Sequence, residues 1–293
     1  MDLSAEIRSF LMSRRARITP EMAGLHHVAG SRRVAGLRRV EAAMLAGVSV
    51  EYYTRMERGK LGGASEGVLD AIARVLQLDG DERAHLFDLV RHAGASPLSR
   101  REPTAAPRVG DAVHAVLDSM NVPAVVIDDR LFVHAANEMG RALYRPMLDR
   151  AEGRPNFALF GYLDPEARGF YRDLEDAWDL TAAVLRSAAG RAPGDPEIAG
   201  LLARLSPLPE FQERWDRHDV KRHAQGVKKL RHPVVGDLDL EYSDFALPGD
   251  PRLSLTSYTA PAGSRTADGL ALLGSWARTQ PLPRVRAEQS AAG

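Results

Sequence analysis

The chain has 293 residues, 44% of them hydrophobic and 27% charged, an ordinary composition for a soluble globular protein of about two domains. Its 39 basic and 39 acidic side chains cancel, so net charge alone gives no indication of a nucleic-acid partner. The sequence contains no cysteine, which excludes disulfides, thiol nucleophiles and cysteine-based zinc or iron–sulfur sites.

The N-terminal region has the pattern of a small helical domain. Asp2–Arg17 predicts a first helix, with Leu3, Ile7, Phe10 and Leu11 at helical spacing. Residues 19–35 are less regular and contain a basic loop at residues 32–33. Ser65 is predicted to cap a helix over residues 66–76, and Asp79 or Asp81 to open another, which gives five helices in a domain of residues 1–95.

Residues 37–60, LRRVEAAMLAGVSVEYYTRMERGK, predict a helix-turn-helix. Gly47 supplies the positive φ of a tight turn between the helices, and the second helix begins after Ser49 as N-cap and ends at Gly59. The apolar residues of the first helix are Val40, Ala43 and Met44. The residues whose spacing allows them to form a small core between the two helices are Ala43, Val48, Tyr53 and Met56. The alternative is a helical hairpin in another small bundle.

Positive charge is concentrated around this motif, because residues 8–60 contain eleven Lys or Arg against four Glu. A local excess of this kind attracts phosphates, although charge runs more often mark a solvated face. No apolar run reaches transmembrane length, and the N-terminus lacks the apolar segment of a secretory signal. We therefore expect a cytoplasmic protein without a membrane partner, associated with the nucleoid when bound to DNA.

The helix-turn-helix resembles that of phage-repressor-type (XRE) regulators, and with VLDAIARVLQLDGDERAHLFDL it is similar to the subset carrying an MmyB-like ligand-binding domain. The chain departs from the usual pattern at Ala35, Val40, Ala42 and Ala64. The resemblance implies double-stranded DNA as partner, with base-facing and phosphate-facing side chains. By this resemblance, the residues that face base edges are Ser49, Val50, Glu51 and Arg55. By the same resemblance, the residues that contact backbone phosphates are Arg39, Arg58 and Lys60.

Residues 96–108 predict a linker, because they are rich in Pro, Ser, Ala and Arg without an apolar period. A helix and a β-hairpin at residues 123–135 follow. Asp164-Pro165 is predicted to start one long helix to Leu185, followed by helices over residues 196–205 and 209–217. Strand patterns cover residues 226–235, 237–246 and 253–258, and a helix covers residues 266–279.

This second half resembles the MmyB-like ligand-binding domain through PAVVIDDRLFVHAAN, NFALFGYLDPEARGFYRDLE, RWDRHDVK, KKLRHPVVGDLDLEY, LPGDP and LLGSWA. The resemblance implies an α+β, PAS-like domain at residues 109–280, with an apolar cavity for a fatty-acyl-like molecule. Residues 281–293 are predicted to be a disordered tail. The predicted fold class is therefore multidomain, an all-α repressor-type helix-turn-helix domain followed by an α+β PAS-like domain.

Aromatic side chains in this region have two interpretations, core packing or lining of a ligand cavity. The candidate ligand-binding residues are Phe157, Phe160, Tyr162, Phe170 and Trp178. The cations that could meet an acidic headgroup, or face solvent instead, are Arg168, Arg172, Lys228, Lys229 and Arg231.

The most enzyme-like dipeptide is His218-Asp219, which suggests a metal-dependent phosphohydrolase only superficially, because no second ligand pattern accompanies it. We expect these two residues to cap a helix or pair with basic neighbours, and we assign no catalytic residue, metal or resident cofactor. The sequence thus predicts a homodimeric, sequence-specific DNA-binding transcriptional regulator controlled by an apolar small molecule. The alternatives are a regulator whose second domain only mediates dimerisation or protein binding, and an enzyme with a DNA-binding appendage.

Overall fold

The computed structural model describes residues 2–25, 34–60, 64–94, 107–221, 224–283 and 285. Most of the predicted linker and tail and the basic pair at residues 32–33 lie outside these ranges. The described residues form two compact units. The first contains those of Met1–Thr104, Arg186–Ala199 and Glu213–Arg222, and the second those of Ala105–Leu185, Gly200–Gln212 and His223–Gly293.

The N-terminal part of the first unit is all-α, as predicted. Its helices are α1 (Leu3–Arg17), α2 (Arg39–Leu45), α3 (Val50–Glu57), α4 (Glu66–Val75) and α5 (Gly80–Gly94). The helix starts are fixed by short polar side chains that accept hydrogen bonds from the first-turn amides. Asp2 caps α1, Ser49 caps α3 and Ser65 caps α4. These local signals explain why the helix boundaries were predictable.

The core of this unit is formed by α1, the helix-turn-helix, α4 and α5. Ala43, Tyr53 and Met56 are buried at the positions that the spacing predicted, and Val48 packs against them partly buried. The other two apolar positions of the predicted first helix do not join this core, since Val40 is 59% and Met44 61% exposed.

The second unit contains most of the α+β part of the chain. The helices of this part of the chain are α6 (Asp111–Ser119), α7 (Glu138–Leu143), α8 (Arg145–Leu148), α9 (Phe157–Leu163), α10 (Ala167–Phe170), α11 (Leu174–Arg191), α12 (Pro196–Leu205), α13 (Pro209–Trp215) and α14 (Arg265–Ala277). Three of them, α11, α12 and α13, have residues in both units. Its strands are β1 (Ala124–Asp128), β2 (Val133–Ala136), β3 (Gln225–His232), β4 (Gly236–Ala246) and β5 (Leu253–Thr259).

The strands form one antiparallel sheet in the order β2-β1-β5-β4-β3. The predicted hairpin at residues 123–135 is confirmed, and its turn is held by Asp128, whose carboxylate accepts hydrogen bonds from the amides of Arg130 and Phe132. Along β4 the buried side chains alternate with exposed ones, which gives the sheet one apolar face. The predicted multidomain fold, all-α followed by an α+β PAS-like domain, is confirmed.

One element differs from the sequence prediction. The single long helix expected from Asp164 to Leu185 is two helices, α10 and α11. Between them, Tyr171 makes a β-bridge with Leu230, and the amide of Arg172 donates to the carbonyl of Lys229 at 3.0 Å. This backbone pairing with β3 requires an extended conformation and therefore interrupts the helix.

Candidate nucleic-acid interface and ligand cavity

The exposed surface of α3 carries most of the predicted DNA-contacting residues. Glu51 and Arg55 are exposed on the helix, and Arg58 and Lys60 are exposed just after it. Val50 is half-buried and packs against the core. Three cations and one carboxylate are thus accessible to solvent on, or just after, the second helix of a helix-turn-helix.

Two of the predicted residues also have structural bonds. The Ser49 hydroxyl accepts a hydrogen bond from the Tyr52 amide at 3.1 Å, so it caps α3. The guanidinium of Arg39 pairs with the buried carboxylate of Glu57, which also pairs with Arg15. Arg39 is therefore held against α3 by an ion pair while about half of its side chain stays exposed.

The position of α3 depends on two glycines with positive φ. Gly47 has φ +67° in the turn, and Gly59 has φ +76° after the helix. A Cβ atom on Gly59 would lie 2.5 Å from the Cα of Ser4 in α1, whereas a Cβ on Gly47 would meet nothing within 4 Å. The end of α3 therefore packs directly on the backbone of α1.

Helix α1 is bound to residues from the middle of the chain through a buried ion pair. The carboxylate of Glu6 pairs with the guanidinium of Arg186, whose side chain is 1% exposed and lies 4.0 Å from the Trp215 ring centroid. The imidazole Nδ1 of His218 lies 3.4 Å from the same carboxylate. Burial opposes ionisation of Glu6, but the hydrogen bond with His218 and the charge of Arg186 outweigh it and lower the carboxyl pKa to about 2.

His218 and Asp219 are engaged with basic residues of α1. The His218 carbonyl accepts a hydrogen bond from Arg14 at 2.6 Å, and the Asp219 carboxylate pairs with Arg17 at 2.7 Å. Within the described residues, no group of three or more His, Asp or Glu side chains is placed to hold a metal ion. None of the helices in that part of the chain is both long and apolar enough to cross a membrane.

The second unit contains a narrow cavity of about 30 Å³ between β3 and α11. Its lining residues are Leu131, Phe157, Tyr171, Ala177, Leu180, Thr181, Val184 and Lys228. A water molecule occupies about 30 Å³ of liquid, whereas ligand pockets usually measure about 300–1,000 Å³. The cavity in this conformation is thus too small for an acyl chain.

The five aromatic residues predicted to bind ligand lie in different surroundings. Phe157 lines the cavity. Phe160 and Phe170 pack edge-to-face at 5.8 Å between ring centroids, and Tyr162 and Trp178 stack at 5.4 Å. The structure also places at the cavity Tyr171, which is not among the five, and Lys228, one of the cations named as able to meet an acidic headgroup. Lys228 had a sequence signal, since period-two counting along β3 assigns it to the face of Leu230 and His232.

Comparison with known protein families agrees with this architecture. Residues 109–273, more than half of the chain, match the family described as the MmyB-like transcription regulator ligand-binding domain, and residues 25–86 match a helix-turn-helix domain family. A search of curated proteins found no match. A helix-turn-helix followed by an α+β ligand-binding domain defines a DNA-binding transcription regulator. Within that class, the chain belongs to the MmyB-like transcription regulator family.

Proposed function

We propose that the protein is a homodimeric, sequence-specific regulator whose DNA affinity is set by an apolar, fatty-acyl-like molecule bound in the second unit. The observation that carries this proposal is the course of α11. Ala177, Leu180, Thr181 and Val184 of this helix line the cavity, and two residues later the same helix carries Arg186. A ligand that displaces α11 therefore acts on the residue that pairs with Glu6.

A continuous set of contacts leads from Glu6 to the DNA-binding helix. Glu6 belongs to α1, as does Ser4, and the Ser4 backbone lies against Gly59 at the end of α3. Because this packing is close, a shift of α1 requires α3 or its flanking loop to move as well. We propose that these contacts differ in stability between the ligand-bound and the ligand-free protein, and that this difference couples the ligand cavity to the DNA-binding helix.

Because the cavity is small, control by a ligand requires a conformational switch. A ligand affects an equilibrium only if it binds one conformation better than the other. Since about 30 Å³ does not hold an acyl chain, such a ligand binds a conformation in which α11 and β3 stand further apart. A tenfold change in DNA affinity then needs about 1.4 kcal/mol of coupling free energy.

For DNA recognition we propose the roles that the resemblance implies. Arg55 bonds a guanine bidentately, Glu51 accepts from a cytosine amine and Val50 packs on a thymine methyl group. Ser49 lies at the start of the recognition helix, where its cap holds the backbone that faces the bases. Phosphates are bound by Arg39, Arg58 and Lys60.

We propose that the regulator binds DNA as a homodimer, because one helix-turn-helix makes too few base contacts for typical operator affinity. Its half-sites are expected about 34 Å apart or a multiple of that distance. The expected location is the cytoplasm, on the nucleoid when DNA is bound. Sedimentation of a monomer alone at micromolar concentration, with and without selected DNA, would contradict the dimer.

A second candidate function is a regulator whose C-terminal domain mediates only dimerisation or protein binding. It is favoured by the small cavity and by exposed apolar side chains in the second unit, among them Val227, Phe245 and Leu272. Native mass spectrometry of the purified full-length protein, combined with selection of its binding site from random DNA, separates the two. A copurified apolar molecule supports the ligand-controlled regulator, and failure of every apolar probe to bind supports the second candidate.

A further inference from the structure

A solvent-accessible groove of about 660 Å³ runs along one side of α1 in the first unit. Its lining residues are Asp2, Ser4, Ala5, Arg8, Ser9, Met12, Arg58 and His218. Residues four positions apart lie on the same face of a helix, so Ser4, Arg8 and Met12 form one stripe along the groove. The groove is therefore lined mainly by polar and charged side chains of a single helix face.

The close packing of Gly59 on α1 brings Arg58 to the same groove. A Cβ atom on Gly59 would lie 2.5 Å from the Cα of Ser4, so the backbones are in direct contact there. Because consecutive Cα atoms are only about 3.8 Å apart, this contact also fixes Arg58 beside the first turns of α1. Arg8 thus reaches the groove from α1, and Arg58 reaches it from the segment that follows α3.

Both guanidinium groups are available to bind an anion. Arg8 and Arg58 are exposed, and neither side chain makes a hydrogen bond or an ion pair within the described part of the chain. The other arginines of α1 differ, since Arg14, Arg15 and Arg17 each pair with a carboxylate. Two unpaired cations at one groove repel each other, and an anion bound between them removes that repulsion.

The remaining polar groups of the groove also favour an anion. The carboxylate of Asp2 accepts a hydrogen bond from the Ser4 amide at 2.9 Å, so it is engaged in capping α1. Ser4 and Ser9 contribute hydroxyl groups, which can donate hydrogen bonds. The imidazole Nδ1 of His218 lies 3.4 Å from the Glu6 carboxylate. The free donors are thus guanidinium and hydroxyl groups, which suit an anion with several acceptor oxygens.

We propose that Arg8 and Arg58 together hold one phosphate group in this groove. Phosphate presents several anionic oxygens, which guanidinium groups bind through parallel hydrogen bonds. The phosphate belongs either to the DNA backbone or to a small phosphorylated molecule. Where it belongs to DNA, the inference rests on the proposed function, in which Arg58 contacts a phosphate, and it extends the DNA-binding surface to α1.

Two probes distinguish these sources in the full-length protein. Pyrophosphate binding is measured by calorimetry without DNA, and binding to the selected and a random duplex by fluorescence anisotropy. The variants are Arg8→Gln, Arg58→Gln, the double variant and Arg74→Gln. Arg74 is exposed on α4 and does not line the groove, so it controls for the loss of one positive charge. Thermal unfolding confirms that each variant is folded.

For a DNA phosphate, Arg8→Gln should weaken binding to both duplexes alike, by roughly tenfold, the effect of one lost charge-assisted hydrogen bond. For a small phosphorylated molecule, Arg8→Gln and Arg58→Gln should each weaken pyrophosphate binding to the same extent, and Arg8→Gln should leave duplex binding unchanged. Arg74→Gln should change either affinity by less than about twofold. Because both arginines hold one phosphate, the double variant should lose less than the product of the two single losses.

The inference is overturned if Arg8→Gln matches Arg74→Gln with both probes. It is equally overturned if the losses from Arg8→Gln and Arg58→Gln multiply in the double variant, because the two residues then act at separate places. A wild-type protein that binds no duplex contradicts the proposed function instead, and the pyrophosphate measurements then decide alone whether the groove binds phosphate.

Discussion

Glu6 in the first helix forms a buried ion pair with Arg186, 180 residues further along the chain. The same guanidinium donates to the Trp215 carbonyl and lies over the Trp215 ring. Residues that match the ligand-binding family therefore belong to the compact unit of the DNA-binding helices. Within the first unit, α1 is thus in direct contact with part of the ligand-binding sequence.

Removing one partner of this pair should destabilise the protein strongly. Glu6→Gln or Arg186→Met leaves a buried charge uncompensated, which costs about 3–5 kcal/mol, whereas the double variant Glu6→Gln/Arg186→Met should recover most of the loss. Urea unfolding of the full chain measures these differences. The exposed pair of Arg83 and Asp70 is the control, and Asp70→Asn should cost at most about 1 kcal/mol. A Glu6→Gln cost as small as that of Asp70→Asn would contradict the buried pair.

Stability should fall as the pH is lowered from 6.5. Burial lowers the pKa of His85 from 6.5 to about 3, so the unfolded chain binds a proton that the folded chain does not. The contribution of neutral His85 to the free energy of unfolding is complete above pH 6.5. It is lost as the pH falls towards 3, by up to about 1.4 kcal/mol per pH unit. Glu6 adds a loss below pH 4.5, the ordinary value of its pKa, as the pH falls towards 2.

Comparison of variants isolates the His85 contribution. Between pH 6.5 and 4.5, His85→Gln should show a flatter dependence of the unfolding free energy on pH than the wild type. Burial also lowers the pKa of His232, so that residue contributes equally to both proteins and cancels. The exposed His114 provides a matched control, and His114→Gln should retain the wild-type slope. Identical slopes in His85→Gln and the wild type would refute the assignment.

The helix-turn-helix was predictable because its determinants are local. Ser49 and Ser65 cap the helices that follow them, and Gly47 supplies the positive φ of the turn. Tyr53 and Met56 then reach the core through helical spacing alone. The exposure of Val40 and Met44 was not predictable from that spacing, because it depends on which helices pack around α2.

The ligand-binding region was less predictable because its critical contacts are distant in sequence. The break between α10 and α11 arises from pairing of Tyr171 with Leu230, and helical periodicity carries no information about that strand. The pairing of Glu6 with Arg186 could not be predicted either, because the two residues are 180 positions apart in the sequence. Lys228 was different, because it was named from the sequence as a cation that could meet an acidic headgroup and it lies at the cavity.

Two glycines that look alike in sequence should respond differently to alanine. Gly47→Ala adds only the strain of a positive φ, about 1–2 kcal/mol, since nothing lies within 4 Å of its Cβ position. Gly59→Ala adds the same strain and also a 2.5 Å approach to the Cα of Ser4, so it should cost clearly more. Urea unfolding of both variants measures the difference, and equal costs would show that α1 and α3 do not pack this closely.

Arg55 and Arg58 should contribute to DNA binding in distinct ways. Arg55→Ala should weaken binding to the selected site by about 1–3 kcal/mol and relax its sequence preference, because it removes a base contact. Arg58→Ala should weaken all sequences alike and reduce the salt dependence, because it removes a phosphate contact. Fluorescence anisotropy on specific and random duplexes at several salt concentrations distinguishes them, with the exposed Arg91 of α5 as control. Equal loss on both duplexes for both variants would contradict these roles.

In the proposed function, a bound apolar ligand sets the DNA affinity through α11 and α1. The most direct measurement is the affinity for the selected DNA site with and without saturating decanoate, in the wild type and in Glu6→Gln/Arg186→Met. We expect a change of at least tenfold in the wild type, about 1.4 kcal/mol of coupling, and a change below twofold in the double variant. A wild-type affinity that stays within twofold while calorimetry shows decanoate bound would contradict it.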